Sequence, residues 1–124
     1  MTRTTHFDEL TYSINGAIYE VNKVLGSGFL EKVYENALHV ELNKKDIRVE
    51  CQVPITVEYK KVSVGEYIAD MVVENSVLME IKAIESLQKV HEAQILNYLK
   101  ATGYKIGLLV NFTHPKAIIK RFVM

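Results

Sequence analysis

Three residues of one short segment can combine carboxylate and ammonium chemistry: Asp70, Glu80 and Lys82. Residues two apart in a strand share a face, so Glu80 and Lys82 project together while Ile81 points the other way. Asp70 belongs to the preceding apolar run, with Ile68 and Val72 on its own face, which implies a half-buried setting. The two runs, 67–73 and 77–83, enclose Glu74-Asn75-Ser76 and read as a hairpin. An odd loop centred on Asn75 sets Asp70 opposite Glu80, whereas a two-residue loop, Asn75-Ser76, sets Met71 there. The odd loop is favoured, and it brings two carboxylates within about 5 Å at Cβ, where like charges destabilise a sheet. A shared proton, the Lys82 ammonium or a divalent cation would relieve them. Oxygen donors with no His or Cys beside them suit Mg²⁺ or Mn²⁺ rather than zinc. The bland alternative is a solvent-facing strand, on which Glu-Ile-Lys alternation is common.

A second constellation follows. His91, Gln94 and Tyr98 are spaced to share one helix face, and Lys82 leaves its strand shortly before that helix begins. Gln and Tyr can hold a phosphate or orient Lys82, or they can simply be a solvated residue and a core residue. Upstream, Gly28 precedes Glu31, Tyr34 and Glu35 at a helix start. Glu31 and Tyr34 meet on one side, Glu35 extends the acidic edge by a turn, and Glu31 also suits the helix dipole.

The elements that must position these groups read as follows. Helical spacing runs from about Phe7 to Leu25, ended by Gly26-Ser27-Gly28, and again from about Leu30 to Lys44. Alternation through Val49, Cys51, Val53 and then Ile55, Val57, Tyr59 reads as strand, with Pro54 at an edge, a bulge or a break between two strands. Val62 to Gly65 reads as a turn and strand start. After the hairpin come a helix from about Ser86 to Thr102 closed by Gly103, a strand at Ile106 to Phe112, and a last strand at Ala117 to Val123. The order α-α-β-β-β-β-α-β-β implies an α/β fold, a mixed sheet with helices against it.

Asp70, the triplet Glu80-Ile81-Lys82, and Gln94 with Tyr98 four residues on resemble the PD-(D/E)XK nuclease pattern in its RecB-like form. Gly28 to Tyr34 is similar to the Gly-x-x-Glu-x-x-Tyr motif of the small GxxExxY proteins, grouped with that superfamily. The resemblance covers nearly the whole chain. It implies a restriction-endonuclease-like core, a mixed central β-sheet flanked by helices, with Asp70, Glu80 and Lys82 catalytic. It further implies Mg²⁺ or Mn²⁺ held by Asp70, Glu80, the Ile81 carbonyl and Glu31. Gln94, Tyr98, His91 and Tyr34 would support the site or the substrate. Ala69 stands where the superfamily name has Pro, and the chain lacks the cysteines that some RecB-like relatives use for an iron–sulfur cluster.

Composition bounds these readings. At 124 residues the chain is expected to be a single nuclease-like domain, 1–124. A hydrophobic fraction of 48% argues against disorder. One cysteine, Cys51, excludes an internal disulfide or a cysteine cluster. The first residues lack an apolar leader core, and no run approaches the roughly 18 apolar residues of a membrane span. A soluble, cytoplasmic protein is expected. The net charge of +0 counts against a simple basic-tail binder, yet residues 82–124 hold 7 basic and 2 acidic side chains, and residues 1–81 hold 8 and 13. The expected function is metal-dependent hydrolysis of nucleic acid, DNA in the first instance, with weak affinity, or with help from self-association or a partner. The alternative is a non-catalytic binding or assembly module on the same fold.

Overall fold

Helix α1 (His6–Leu25) forms where apolar residues recur at helical spacing, and Leu10, Ile14, Ala17, Ile18 and Val21 are all buried. The computed structural model describes residues 6–113 and 115–124. Residues 1–5, read above as lacking a leader core, and residue 114 lie outside the described residues. The chain leaves α1 through Gly26 and Gly28, whose φ of 71° and 106° an L side chain resists. Helix α2 (Glu31–Lys44) then buries Tyr34, Glu35, Leu38 and Leu42.

Strands β1 (Val49–Tyr59), β2 (Val62–Val73) and β3 (Val77–Lys82) form an antiparallel meander. Helix α3 (Lys89–Thr102) follows, then β4 (Ile106–Asn111) and β5 (Ile118–Val123). The five strands lie in the order β1-β2-β3-β4-β5. β3 and β4 are parallel, and α3 supplies the crossover such a pair needs. β5 returns antiparallel to β4. Three strands, rather than the expected four, precede α3. Pro54 breaks nothing because β1 is an edge strand, where a missing N–H costs no ladder bond on the open side. Val62 to Gly65 belongs to β2, and the turn is Lys60-Lys61, both at positive φ.

One core packs α1 and α2 against the sheet, and it includes Met71, Val73, Met79, Ile81, Leu108 and Val110. The second packs α3 through Ile95, Tyr98 and Leu99 onto Ile55, Ala69, Leu78 and Leu109. All residues of β4 and most of β3 are buried, as central strands covered on both faces must be. α3 sits close: a Cβ at Gly107 would lie 3.1 Å from both the Ile95 and Leu99 side chains. Among the described residues, no helix is long and apolar enough to cross a membrane.

Candidate active site

The β2–β3 loop is the odd one, residues 74–76, with Glu74 and Asn75 at positive φ. The ladder runs Val73↔Val77, Val72↔Leu78, Met71↔Met79, so the next position in register sets Asp70 opposite Glu80. There the backbone pairing stops and side chains replace it. The Asp70 N–H donates to Glu80 Oε2 at 2.8 Å, and the Ile81 N–H donates to Asp70 Oδ2 at 2.7 Å. Each carboxylate thus uses an oxygen to hold the other's strand.

The opposite flank of Asp70 is also irregular. β1 and β2 pair at Cys51↔Met71 and at Val53↔Ala69, but not at Gln52 and Asp70 between them. Both strands change face at this point. Val49, Cys51, Met71 and Val73 pack on the α1–α2 side, whereas Val53, Ile55 and Ala69 pack on the α3 side. Gln52 carries the distortion with a φ of 56°. Its amide donates to Glu35 Oε1 at 2.7 Å, and Lys32 Nζ lies 3.4 Å from Glu35 Oε2. Asp70 therefore stands between a depression of about 480 Å³ shared with Glu31, Glu35 and Gln52, and the Glu80 carboxyl.

Glu80 is 5% exposed. Burial pushes its carboxyl up to about 8, the Asp70 charge adds to this, and Lys82 counteracts it weakly. Two acids of this kind are oxygen donors that a cation would relieve. Among the described residues no three His, Cys, Asp or Glu side chains gather as a metal cage. The donor chemistry nonetheless fits a hard cation of the Mg²⁺ type, which is held by one or two carboxylates and keeps water and phosphate in its other positions. Lys82 is half-buried at the end of β3, and its carbonyl accepts from the Phe112 N–H at 2.8 Å. Beyond it, the buried Asn111 grips Ile84 at both N–H and C=O, each at 2.9 Å, which fixes how the chain leaves Lys82.

The helix residues fall into place differently. Gln94 donates to the Tyr98 hydroxyl at 2.9 Å, and the Tyr98 and Tyr67 rings lie 5.5 Å apart. With His91 they line a groove of about 870 Å³ between α3 and the β1–β2 hairpin. Burial, then the Glu80 charge, raise the Tyr98 hydroxyl above its ordinary value. The His91 Nδ1 accepts from the Gln88 N–H at 2.9 Å and so closes the first turn of α3. Glu31 shares the depression with Asp70 but stays exposed, and the acid buried there is Glu35, at 4%. Tyr34 is fully buried. Its hydroxyl donates to the Gly26 carbonyl at 2.6 Å, and its ring stacks on Phe112 at 4.5 Å. It shapes the loop before α2 and is closed to substrate.

Gln52, Asn111 and Tyr67 escape sequence reasoning. Asn111 left a trace, a polar residue inside an apolar strand. Glu35 left another, one turn beyond Glu31. Gln52 left none, because the apolar alternation runs unbroken through it.

The chain belongs to the PD-(D/E)XK nuclease superfamily, whose sequence profile matches residues 8–122. It is similar to the solved structure of SSO0001, with a TM-score of 0.61 and 19% identity over 75% of this chain and 50% of that one. It thus spans half the length of that protein. An alkaline exonuclease from Laribacter hongkongensis aligns with a TM-score of 0.49 and 11% identity, covering 98% of this chain and 72% of that chain. No curated protein matches the chain. The mixed five-stranded sheet flanked by helices is a restriction-endonuclease-like core.

Proposed function

We propose that this protein is a metal-dependent nuclease that hydrolyses phosphodiester bonds, with DNA as the first substrate to test. The observation that carries this reading is the Asp70–Glu80 pair, two carboxylates that take the place of the backbone ladder, Glu80 accepting from the Asp70 N–H and Asp70 from the Ile81 N–H. Gly28, Glu31 and Tyr34 add the GxxExxY resemblance.

Asp70 and Glu80 would hold Mg²⁺ or Mn²⁺, with the Ile81 carbonyl as a further oxygen and Glu31 at the edge of the depression. When bound, such an ion polarises the phosphate and acidifies a water. Asp70 and Glu80 orient the reacting centre, since each is itself fixed by a backbone N–H. The Lys82 ammonium, on the same face as Glu80, would stabilise negative charge growing on the phosphoryl oxygens; as the neutral amine, Lys82 would instead take a proton from the attacking water. Gln94 and Tyr98 hold the adjoining groove for the strand.

The test is Mn²⁺ titration calorimetry with cleavage assays on single- and double-stranded DNA and RNA. Asp70→Ala and Glu80→Ala are expected to lose both metal binding and cleavage. Lys82→Ala is expected to bind metal and lose about 10²–10⁴-fold in rate, the usual span of a lost acid–base group. A wild-type protein that binds no Mn²⁺ and cuts none of the four substrates would overturn the reading.

A further inference from the structure

Six non-glycine residues have positive φ among the described residues: Asp46, Gln52, Lys60, Lys61, Glu74 and Asn75. Five of them sit in turns, where this conformation reverses the chain. Gln52 alone lies inside a strand. A left-handed residue there is a conformational cost that persists only where the surroundings impose it. The surroundings are specific. Gln52 occupies the skipped position facing Asp70, both strands change face there, and its amide is bonded at 2.7 Å to the carboxylate of the buried Glu35, which is 4% exposed. A regular residue at 52 would send its side chain to one face of the sheet. The distorted one reaches across to α2.

We propose that Gln52 is a positioning residue for Asp70. Its left-handed backbone ends the regular β1–β2 pairing at one position, and its amide anchors that position to Glu35 of α2. Asp70 is thereby released from the β1 ladder and held where its carboxylate meets the Ile81 N–H and the Glu80 carboxyl. This rests on the nuclease reading only for its effect on catalysis. The positioning itself can be measured without metal.

Two substitutions separate backbone from side chain. Gln52→Gly accepts the left-handed conformation and deletes the amide. Gln52→Ala deletes the amide and keeps the strain. The direct readout is amide hydrogen exchange at Ile81, whose N–H bonds Asp70 Oδ2. In metal-free protein, Ile81 exchange is expected to accelerate at least about 10-fold in both variants, while Leu109 in β4 is unchanged. Gln52→Gly should melt at or above the temperature of Gln52→Ala because it relieves the left-handed backbone, and the unchanged exchange at Leu109 shows that global loss of stability is not the cause. Glu35→Gln keeps an oxygen to accept from Gln52 and is expected to leave Ile81 protected. In the nuclease assay, Gln52→Gly is expected to lower kcat about 10-fold with KM unchanged, and to weaken Mn²⁺ binding similarly. Wild-type exchange at Ile81 in Gln52→Gly would overturn the proposal. If Ile81 exchange responds but the wild type neither binds Mn²⁺ nor cleaves, positioning stands and the nuclease reading falls.

Discussion

At the scale of residues, the site is a pair of acids forced together. Glu80 keeps its proton in the folded state up to about pH 8, because burial and Asp70 oppose its charge, while the unfolded carboxyl ionises near 4.5. Between those values the folded chain binds the extra proton. The stability this confers is complete below the unfolded value and is lost as pH rises through the folded one. Thermal melts of metal-free protein are therefore expected to fall in midpoint from about pH 5 to about pH 8, and Glu80→Gln is expected to flatten that slope. A slope unchanged in Glu80→Gln would assign it to another group. Tyr34 illustrates a different residue-level role. Tyr34→Phe removes the donor to the Gly26 carbonyl and is expected to cost about 1 kcal/mol in chemical denaturation, with the fold retained.

At the scale of elements, two contacts hold the working strands in place. Asn111 satisfies both backbone groups of the half-buried Ile84, so Asn111→Ala leaves both unmet and is expected to cost about 1–2 kcal/mol by urea unfolding. Gly107 lets α3 approach β4, and Gly107→Val would drive a branched side chain into Ile95 and Leu99, with an expected loss of about 1–3 kcal/mol. The helices were readable because α1 and α2 each bury one stripe, which writes a 3.6-residue period into the sequence. The hairpin register was readable because its loop is short and marked by Asn75. The face change at Gln52 and Asp70 was not. Helices cover both faces of the sheet, so both faces demand apolar residues, and a strand that switches faces shows the same alternation as one that does not. The sequence places the start of α3 too early, near Ser86, because its first turn is closed by Gln88 and His91, a pairing outside the usual cap residues.

At the scale of the whole molecule, the basic last third is less available than its composition suggests. Lys120 is paired with Glu92 at 2.8 Å, Arg121 with Asp8 at 3.2 Å, and Lys116 sits 4.7 Å over the Tyr19 ring. The cations of α3 are Lys89 and Lys100, of which Lys100 lines the groove. Binding to nucleic acid should accordingly be weak and only shallowly salt-dependent. Reversing both charges, Lys89→Glu with Lys100→Glu, is expected to lower the slope of log affinity against log salt by about 1.4–1.8, at roughly 0.7–0.9 per phosphate contact. An unchanged slope would place the strand elsewhere. The ion pairs also tie β5 to both α1 and α3, although each exposed pair contributes only about 0–1 kcal/mol.

The short loop after β2 has a consequence for how the molecule assembles. Asp70 and Glu80 meet across one hairpin, so their encounter closes only a small loop of chain, ten residues apart in sequence, whereas Asn111 must reach Ile84 across 27. The difference in closure entropy is about 1 kcal/mol in favour of the acids. The repelling pair can therefore come together before the contacts that frame it. Pulse-labelled exchange during refolding is expected to protect Ile81 ahead of Ile84. The electrostatic conflict would then belong to the early history of the fold, and the later elements would close around a pair already in contact.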